Sequence, residues 1–556
     1  MPTKKTVKHA TRVSKKHTTP KIPRITYATL AVTPNDDKAY NTAVARVRGQ
    51  LGKYFTNFVN GVARGSAAGE FAHASPVDTR IVVSHFPKGT REDARDAIQA
   101  ARIAFDGWST LGYRDRIAIL RRAADLIVER RFELAAWMAL EVGKNRGEAL
   151  AEINEAAELI RYYCAEMEQH KGFVYPLESP GKGQETLTVL RPYGVWAEIA
   201  PWNFPMSLAA GMSAGALVAG NTVVFKPSSE SPVLGYELYR TYNDAGLPAG
   251  VFNLVVGPGS TVGAELRENP GVDGLIFTGS ADVGMGLYKN FATRFPKPVI
   301  AEMGGKNPAI VCASADLLEA AEGVMRAAFG FGGQKCSACS RVYVQKTVKD
   351  KFLQLLGEAT QQRIQVGDPT KKETFVGPVI NQAAVDTYLR AAEDARKSGG
   401  VFHAGGHRLT DGDGSTEFTL SVAEGLTTSY AHGYFVEPTI VELPKTHRLF
   451  QDELFVPFVV VAAVDSFEEA LSEANNSRYG LCAGIYSCDD KEIAQFFDHI
   501  QAGVTYCNRR AGATTGAWPH VNTFGGWKES GTTGKNAHSP YYVQQFMHEQ
   551  SRWIVR

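Results

Sequence analysis

Cys336 stands in Phe-Gly-Phe-Gly-Gly-Gln-Lys-Cys-Ser-Ala-Cys-Ser-Arg, residues 329–341, with small residues on both sides. A thiol meant only for packing more often has bulky apolar neighbours. Here Gly330, Gly332, Gly333, Ser337 and Ala338 would let a substrate carbon approach the sulfur. They would also leave backbone N–H groups free to face a developing oxyanion. The chemistry on offer is nucleophilic attack by sulfur. A buried, inert cysteine is the competing reading of the same local composition.

Three further residues could share a site with it. Glu302, in Ala-Glu-Met-Gly-Gly-Lys-Asn-Pro (301–308), follows an apolar, strand-like run. A carboxylate there can act as a general base through a water, although a surface turn glutamate looks the same locally. Asn203, in Pro-Trp-Asn-Phe-Pro (201–205), is a side-chain amide held between aromatics and prolines. Such an amide is a rigid donor for an oxyanion; a turn-forming asparagine is the alternative. Lys226, in Val-Val-Phe-Lys-Pro-Ser-Ser-Glu (223–230), ends an apolar run and can reach a ribose or phosphate, or simply be solvated.

The elements that must position these groups follow from the hydrophobic period. Thr90 with Asp93 forms a capping-box pattern, and Ala94, Ala97, Ile98, Ala101 and Phe105 then share one helical face. One long amphipathic helix is expected over Asp115–Glu141 and another over Arg146–Gln169. From Val195 the pattern alternates strand and helix: strands at 195–199, 222–225, 252–256, 274–277 and 298–301, helices at 208–219, 234–245, 261–268 and 283–292. That spacing predicts a parallel sheet covered on both faces. The turns 258–260 and 278–280 lie at strand ends, where ligands bind in such sheets. A second alternating block follows Cys336, with strands at 341–344, 459–464, 482–486 and 504–507.

Composition bounds the rest. The 556 residues, 44% hydrophobic, suffice for several cores. A formal charge of +2 gives no reason to expect nucleic acid as a partner. Seven scattered cysteines suggest reduced thiols in a cytoplasmic setting. No apolar run approaches ~20 residues, so no membrane span is expected. Residues 1–24 are basic, proline-broken and free of acid, which reads as a disordered tail. Cys336 and Cys339 make a C-x-x-C, but without a second ligand pair no metal is expected and Cys339 reads as packing.

Together and in order, PWNFP (201–205), FKPSSESP (225–232), GLPAGVFNLVVG (246–257), FTGS (277–280), EMGGKNP (302–308), GGQKCSACSR (332–341), DELF (452–455) and FGGWKESG (524–531) resemble the NAD(P)-dependent aldehyde dehydrogenase superfamily. The resemblance covers nearly the whole chain from about residue 30. It implies an α/β fold: a Rossmann-type cofactor domain (25–180 and 195–304), a catalytic α/β domain (305–510), and a small β oligomerisation arm with the C-terminal tail (181–194 and 511–556). A homodimer or higher homo-oligomer is then expected. The resemblance gives Cys336 the role of nucleophile, Asn203 and the Cys336 N–H the oxyanion, and Glu302 the base that hydrolyses the thioester. Lys226 and Glu453 resemble ribose contacts, Phe455 a nicotinamide-side contact, and Trp202 and Ser280 pyrophosphate-side contacts. Ser229 stands where many NAD-preferring members carry glutamate, so NADP is expected beside NAD.

Within the superfamily, GGQKCSACSR and ITYATL (25–30) resemble the Δ1-pyrroline-5-carboxylate (glutamate-γ-semialdehyde) dehydrogenases of proline breakdown. That implies a small-molecule aldehyde whose α-carboxylate is held by Ser337, Gly516 and Ala517, with Arg509 and Arg510 adding positive potential. The alternatives are another semialdehyde dehydrogenase, such as one for succinate semialdehyde, or a broad aldehyde dehydrogenase. A coenzyme A-acylating variant is disfavoured by Glu302, and a non-catalytic relative by intact Cys336, Glu302 and Asn203.

Overall fold

The computed structural model describes residues 33–293, 295–411, 420–421, 427–510 and 518–556. The basic tail 1–24, most of the loop 411–415, and Gly516 and Ala517 lie outside the described residues.

Two seven-stranded sheets organise the chain. In the first, strands Val299–Glu302, Gly274–Thr278, Val195–Ile199, Thr222–Lys226 and Phe252–Leu254 lie side by side in parallel. Asn57–Val59 and Val62–Arg64 extend it antiparallel. The apolar runs are buried on both faces, as parallel strands with helical crossovers require. Because the strands are parallel, their carboxyl ends share one edge. Glu302 and Lys226 both end strands there.

The second sheet runs Val401–Ala404, Thr439–Glu442, Phe458–Val464, Cys339–Gln345, Asn307–Val311, Cys482–Tyr486 and Val504–Cys507. Asn307–Val311 and the helix Leu317–Phe329 that follows it were not expected from sequence. The strand's apolar run is too short for periodicity to type, but the helix carries a legible signal, the Asp316 cap accepting from Leu318 and Glu319 N–H ahead of an amphipathic run. A third sheet pairs Gln184–Pro192 antiparallel with Met547–Val555, and Val174–Pro176 lies on its other side.

The capping box is present: the Thr90 side chain accepts from Asp93 N–H and the Asp93 carboxylate accepts from Thr90 N–H. Asp115–Glu141 is not one helix. It is two, Tyr113–Glu129 and Arg131–Val142, broken at Arg130. The break lets the second helix turn inward, where Leu134 to Val142 are buried without interruption. The break falls in Glu129-Arg130-Arg131, with no proline or glycine to signal a helix stop in sequence. Gly259–Gly263 is a wide π-type turn, and only Ala264–Glu268 of the expected 261–268 helix is α-helical. Among the described residues no helix is long and apolar enough to cross a membrane.

Candidate active site

Cys336 follows three consecutive residues with positive φ: Phe331 (50°), Gly332 (61°) and Gly333 (68°). Gly333 has no room for a side chain, since a Cβ there would lie 2.4 Å from the Val456 carbonyl oxygen. This left-handed run turns the chain sharply off helix Leu317–Phe329 and presents Cys336, which is half-buried. Asn307 clamps the loop after the turn: its Nδ2 donates to the carbonyls of Cys336 (2.7 Å) and Ala338 (2.9 Å). Its Oδ1 accepts from Cys482 N–H at 2.9 Å, which ties the loop to the second sheet.

Asn203 is buried, and its Nδ2 donates to the Gln334 carbonyl at 3.0 Å, two residues before Cys336. An amide nitrogen carries two hydrogens, so one remains for a second acceptor. Glu302 and Glu453 both act electrostatically on Cys336. Burial, then these two carboxylates, push the thiol well above its usual range; the Ser337 and Cys336 N–H groups, which bond to the sulfur, oppose the push. Burial pushes Glu302 up to about 8, against one hydrogen bond from Ala537 N–H. Beside Glu302 lies a cavity of about 20 Å³ lined by Tyr163, Ser207, His538 and Tyr542, room for one water.

A groove of about 460 Å³ opens at the carboxyl edge of the first sheet, with Ile199, Lys226, Gly259, Gly263, Val283 and Leu287 among its walls. Burial pulls Lys226 down to about 8. Ser280 caps helix Ala281–Phe291 at the groove and makes no capping bond of its own. Trp202 meets Phe455 edge-on at 5.7 Å and Phe331 at 6.2 Å. Glu453 is turned into the Gly304–Gly305 bend, where Gly305 N–H donates to it at 2.8 Å. Ser229 is half-buried, while the neighbouring Glu230 is held away by Asn381 Nδ2 at 3.0 Å. Ser337 is buried beside Cys336. Arg510 is engaged by Glu322 and Glu319. The Cys339 thiol packs against the Arg341 carbonyl. A larger depression of about 800 Å³, between 357–366 and 430–438, contains none of these groups.

The sequence profile of the "Aldehyde dehydrogenase family" matches residues 63–551. The chain belongs to the aldehyde dehydrogenase family. It is 35% identical over 524 residues to the 1-pyrroline-5-carboxylate dehydrogenase of Geobacillus thermodenitrificans, covering 93% of this chain and 96% of that one. It is 36% identical over 478 residues to the α-ketoglutaric semialdehyde dehydrogenase of Bacillus subtilis, covering 86% and 93%. The crystal structure of 1-pyrroline-5-carboxylate dehydrogenase from Thermus with bound NAD superposes with a TM-score of 0.86 at 32% identity, covering 94% and 97%.

Sequence reasoning missed two charged pairs in this aldehyde dehydrogenase. Lys335, next to Cys336, donates to Glu148 Oε1 at 2.7 Å, and its side chain is fully buried. Glu148 Oε2 is buried with no partner among the described residues. Lys144 pairs with Glu152, both fully buried. The available signal was two glutamates, Glu148 and Glu152, set within an Ala- and Leu-rich helix just after Lys144. Charges with no solvated face to occupy must pair.

Proposed function

We propose that the chain oxidises L-glutamate γ-semialdehyde, the open form of Δ1-pyrroline-5-carboxylate, to glutamate with NAD or NADP. The observation that carries this reading is the near-full-length likeness to enzymes named for that substrate. The site adds a chemical reason. Glu148 Oε2, buried and unpartnered, suits an α-ammonium, and Lys335 and Ser337 suit an α-carboxylate. Gly516 and Ala517 belong to the same proposal.

The Cys336 thiol gives up its proton to solvent as the sulfur attacks the aldehyde carbon, giving a thiohemiacetal with its oxygen negatively charged. Its oxyanion takes the second Asn203 N–H and the Cys336 backbone N–H. The bound nicotinamide supplies the acceptor for the hydride that leaves this carbon, which becomes a thioester carbonyl. Glu302 removes a proton from water, and the hydroxyl attacks the thioester, releasing glutamate and the Cys336 sulfur. The groove fits the cofactor: apolar Ile199, Val283 and Leu287 suit adenine, Lys226 a ribose hydroxyl, and the Ser280 helix end a pyrophosphate. Glu453 and Phe455 are assigned to its ribose and nicotinamide side, and Trp202 to its pyrophosphate side. With Glu230 turned to Asn381, no carboxylate from the 226–230 segment opposes a 2′-phosphate at Ser229.

The test is steady-state NAD(P)H formation from Δ1-pyrroline-5-carboxylate, α-ketoglutaric semialdehyde, succinate semialdehyde and a simple aliphatic aldehyde, each with both cofactors. The expected kcat/KM preference for the first is ~100-fold or more, with NADP within about tenfold of NAD. The α-keto compound is the sharpest control, because it lacks the ammonium that Glu148 would hold. Equal rates on the first two would remove that role, and equal rates on all four would leave a broad aldehyde dehydrogenase.

The sheet of 174–176, 184–192 and 547–555 is proposed to pair with a second copy of this chain, in a homodimer or a multiple of one. One of its faces exposes Tyr175, Leu177, Trp553 and Val555, apolar surface that a second copy would cover. Trp553→Glu is expected to lower the mass found by light scattering to that of the monomer; an unchanged mass would rule this sheet out as the interface. The seven free thiols fit a cytoplasmic setting.

A further inference from the structure

Lys144 lies outside the machinery described above, yet it touches it. Gly143, at φ 73°, ends helix Arg131–Val142 and turns the chain inward; a Cβ there would lie 2.7 Å from Pro378 Cγ. Lys144 then enters the interior with no exposed side-chain surface. Its Nζ donates to Glu152 and, at 2.5 Å, to the backbone carbonyl of Asn203. The same ammonium lies 3.7 Å from the centroid of Phe204 and 4.4 Å from that of Phe331. Glu152 uses its other oxygen on the next turn of chain, accepting from Met206 N–H (2.9 Å) and Ser207 N–H (3.2 Å). Helix Ser207–Ala219 has no side-chain cap of its own, so Glu152 supplies one from another helix. The pair grips the turn on both sides of Phe204, while the Asn203 amide on that turn reaches the Cys336 loop.

We propose that Lys144 and Glu152 are positioning residues for the oxyanion. They clamp the Asn203–Ser207 turn from behind, so that the Asn203 amide stays aimed at the carbon attacked by Cys336. Two buried charges are an expensive way to cap a helix, and an apolar pair would fold as well. What an apolar pair would not supply is a fixed donor on the Asn203 carbonyl. The proposal rests on the reading of Asn203 as the oxyanion donor.

A double-mutant cycle tests it. The variant Lys144→Met with Glu152→Gln removes both charges together and keeps an acceptor for Met206 and Ser207. It is combined with Asn203→Ala, and kcat is measured for all four enzymes. Asn203→Ala alone is expected to lose about 100- to 1000-fold. The clamp variant is expected to lose about 10- to 100-fold, with cofactor KM and the rate of Cys336 alkylation by iodoacetamide within about twofold. The combined variant is expected to be no worse than Asn203→Ala alone, within about threefold. A fully multiplied loss in the combined variant, or no loss in the clamp variant, overturns the proposal. Retained kcat in Asn203→Ala would instead overturn the oxyanion assignment beneath it. If the clamp variant does not fold, Glu152→Gln alone runs the same cycle, with a loss of about threefold or more confined to the Asn203 background.

Discussion

Cys336→Ala is expected to remove aldehyde-dependent NAD(P)H formation, by on the order of 10⁵–10⁶-fold in kcat. The loss should be near total because every later step needs the sulfur–carbon bond. No other thiol is placed to substitute. Cys339, three residues on, is buried with its thiol against the Arg341 carbonyl, and Cys482 is buried. The substitution should leave the fold intact, costing about 1 kcal/mol or less, since the side chain is half-buried and small. Cofactor binding, read by fluorescence titration, should therefore persist while turnover vanishes. Turnover retained to within about tenfold would mean that the nucleophile is misassigned.

Glu302→Gln is expected to abolish steady-state turnover by about 10²–10⁴-fold while sparing the first hydride transfer. Stopped flow should show close to one NAD(P)H per site, then a stall at the thioester. The opposite pattern, a lost burst with the steady-state rate unchanged, would refute the base assignment. The pH profile carries the same information. Only the carboxylate can take a proton from water, so hydrolysis in the unmodified protein should rise with pH and level off above about 8. The variant should show no such rise.

Glu302 also makes a stability prediction whose sign follows from its raised pKa. Its ordinary value is 4.5 and the folded value about 8. Between those two the folded chain holds a proton that the unfolded chain has released. The protonated side chain therefore contributes stability that is fully present below about 4.5 and lost as pH rises through about 8. Glutamine stays neutral throughout. Glu302→Gln should raise Tm relative to the parent at pH 8.5 and leave it nearly equal at pH 4.5. The gain is on the order of 2 kcal/mol after allowing for water at the half-open site. An equal difference at both pH values would show that Glu302 is solvated in the folded protein.

Much of this molecule was legible in its sequence because local pattern and chain order carry that information. Helix Arg146–Gln169 and strand Val195–Ile199 begin and end where the hydrophobic period says they should. Ordered motifs across the chain point to the aldehyde dehydrogenase family, and the profile match agrees. Glu302 and Lys226 could be placed at one edge because parallel strands put all their carboxyl ends together. Tertiary structure alone decided the rest. The break at Arg130 falls in Glu129-Arg130-Arg131, where neither proline nor glycine marks a helix stop in the sequence. The resemblance put 181–194 and the C-terminal tail in one arm, but only the folded sheet gives their antiparallel register, Met547 opposite Pro192 and Val555 opposite Gln184. Lys144 meets the Asn203 carbonyl 59 residues away, and Lys335 meets Glu148 across 187. A period of 3.6 or 2 residues reports which face of an element is dry, not which distant charge will share the dry space. Desolvation is set by every atom that surrounds a group, so which lysines and glutamates are buried, and beside whom, exists only once the chain has folded.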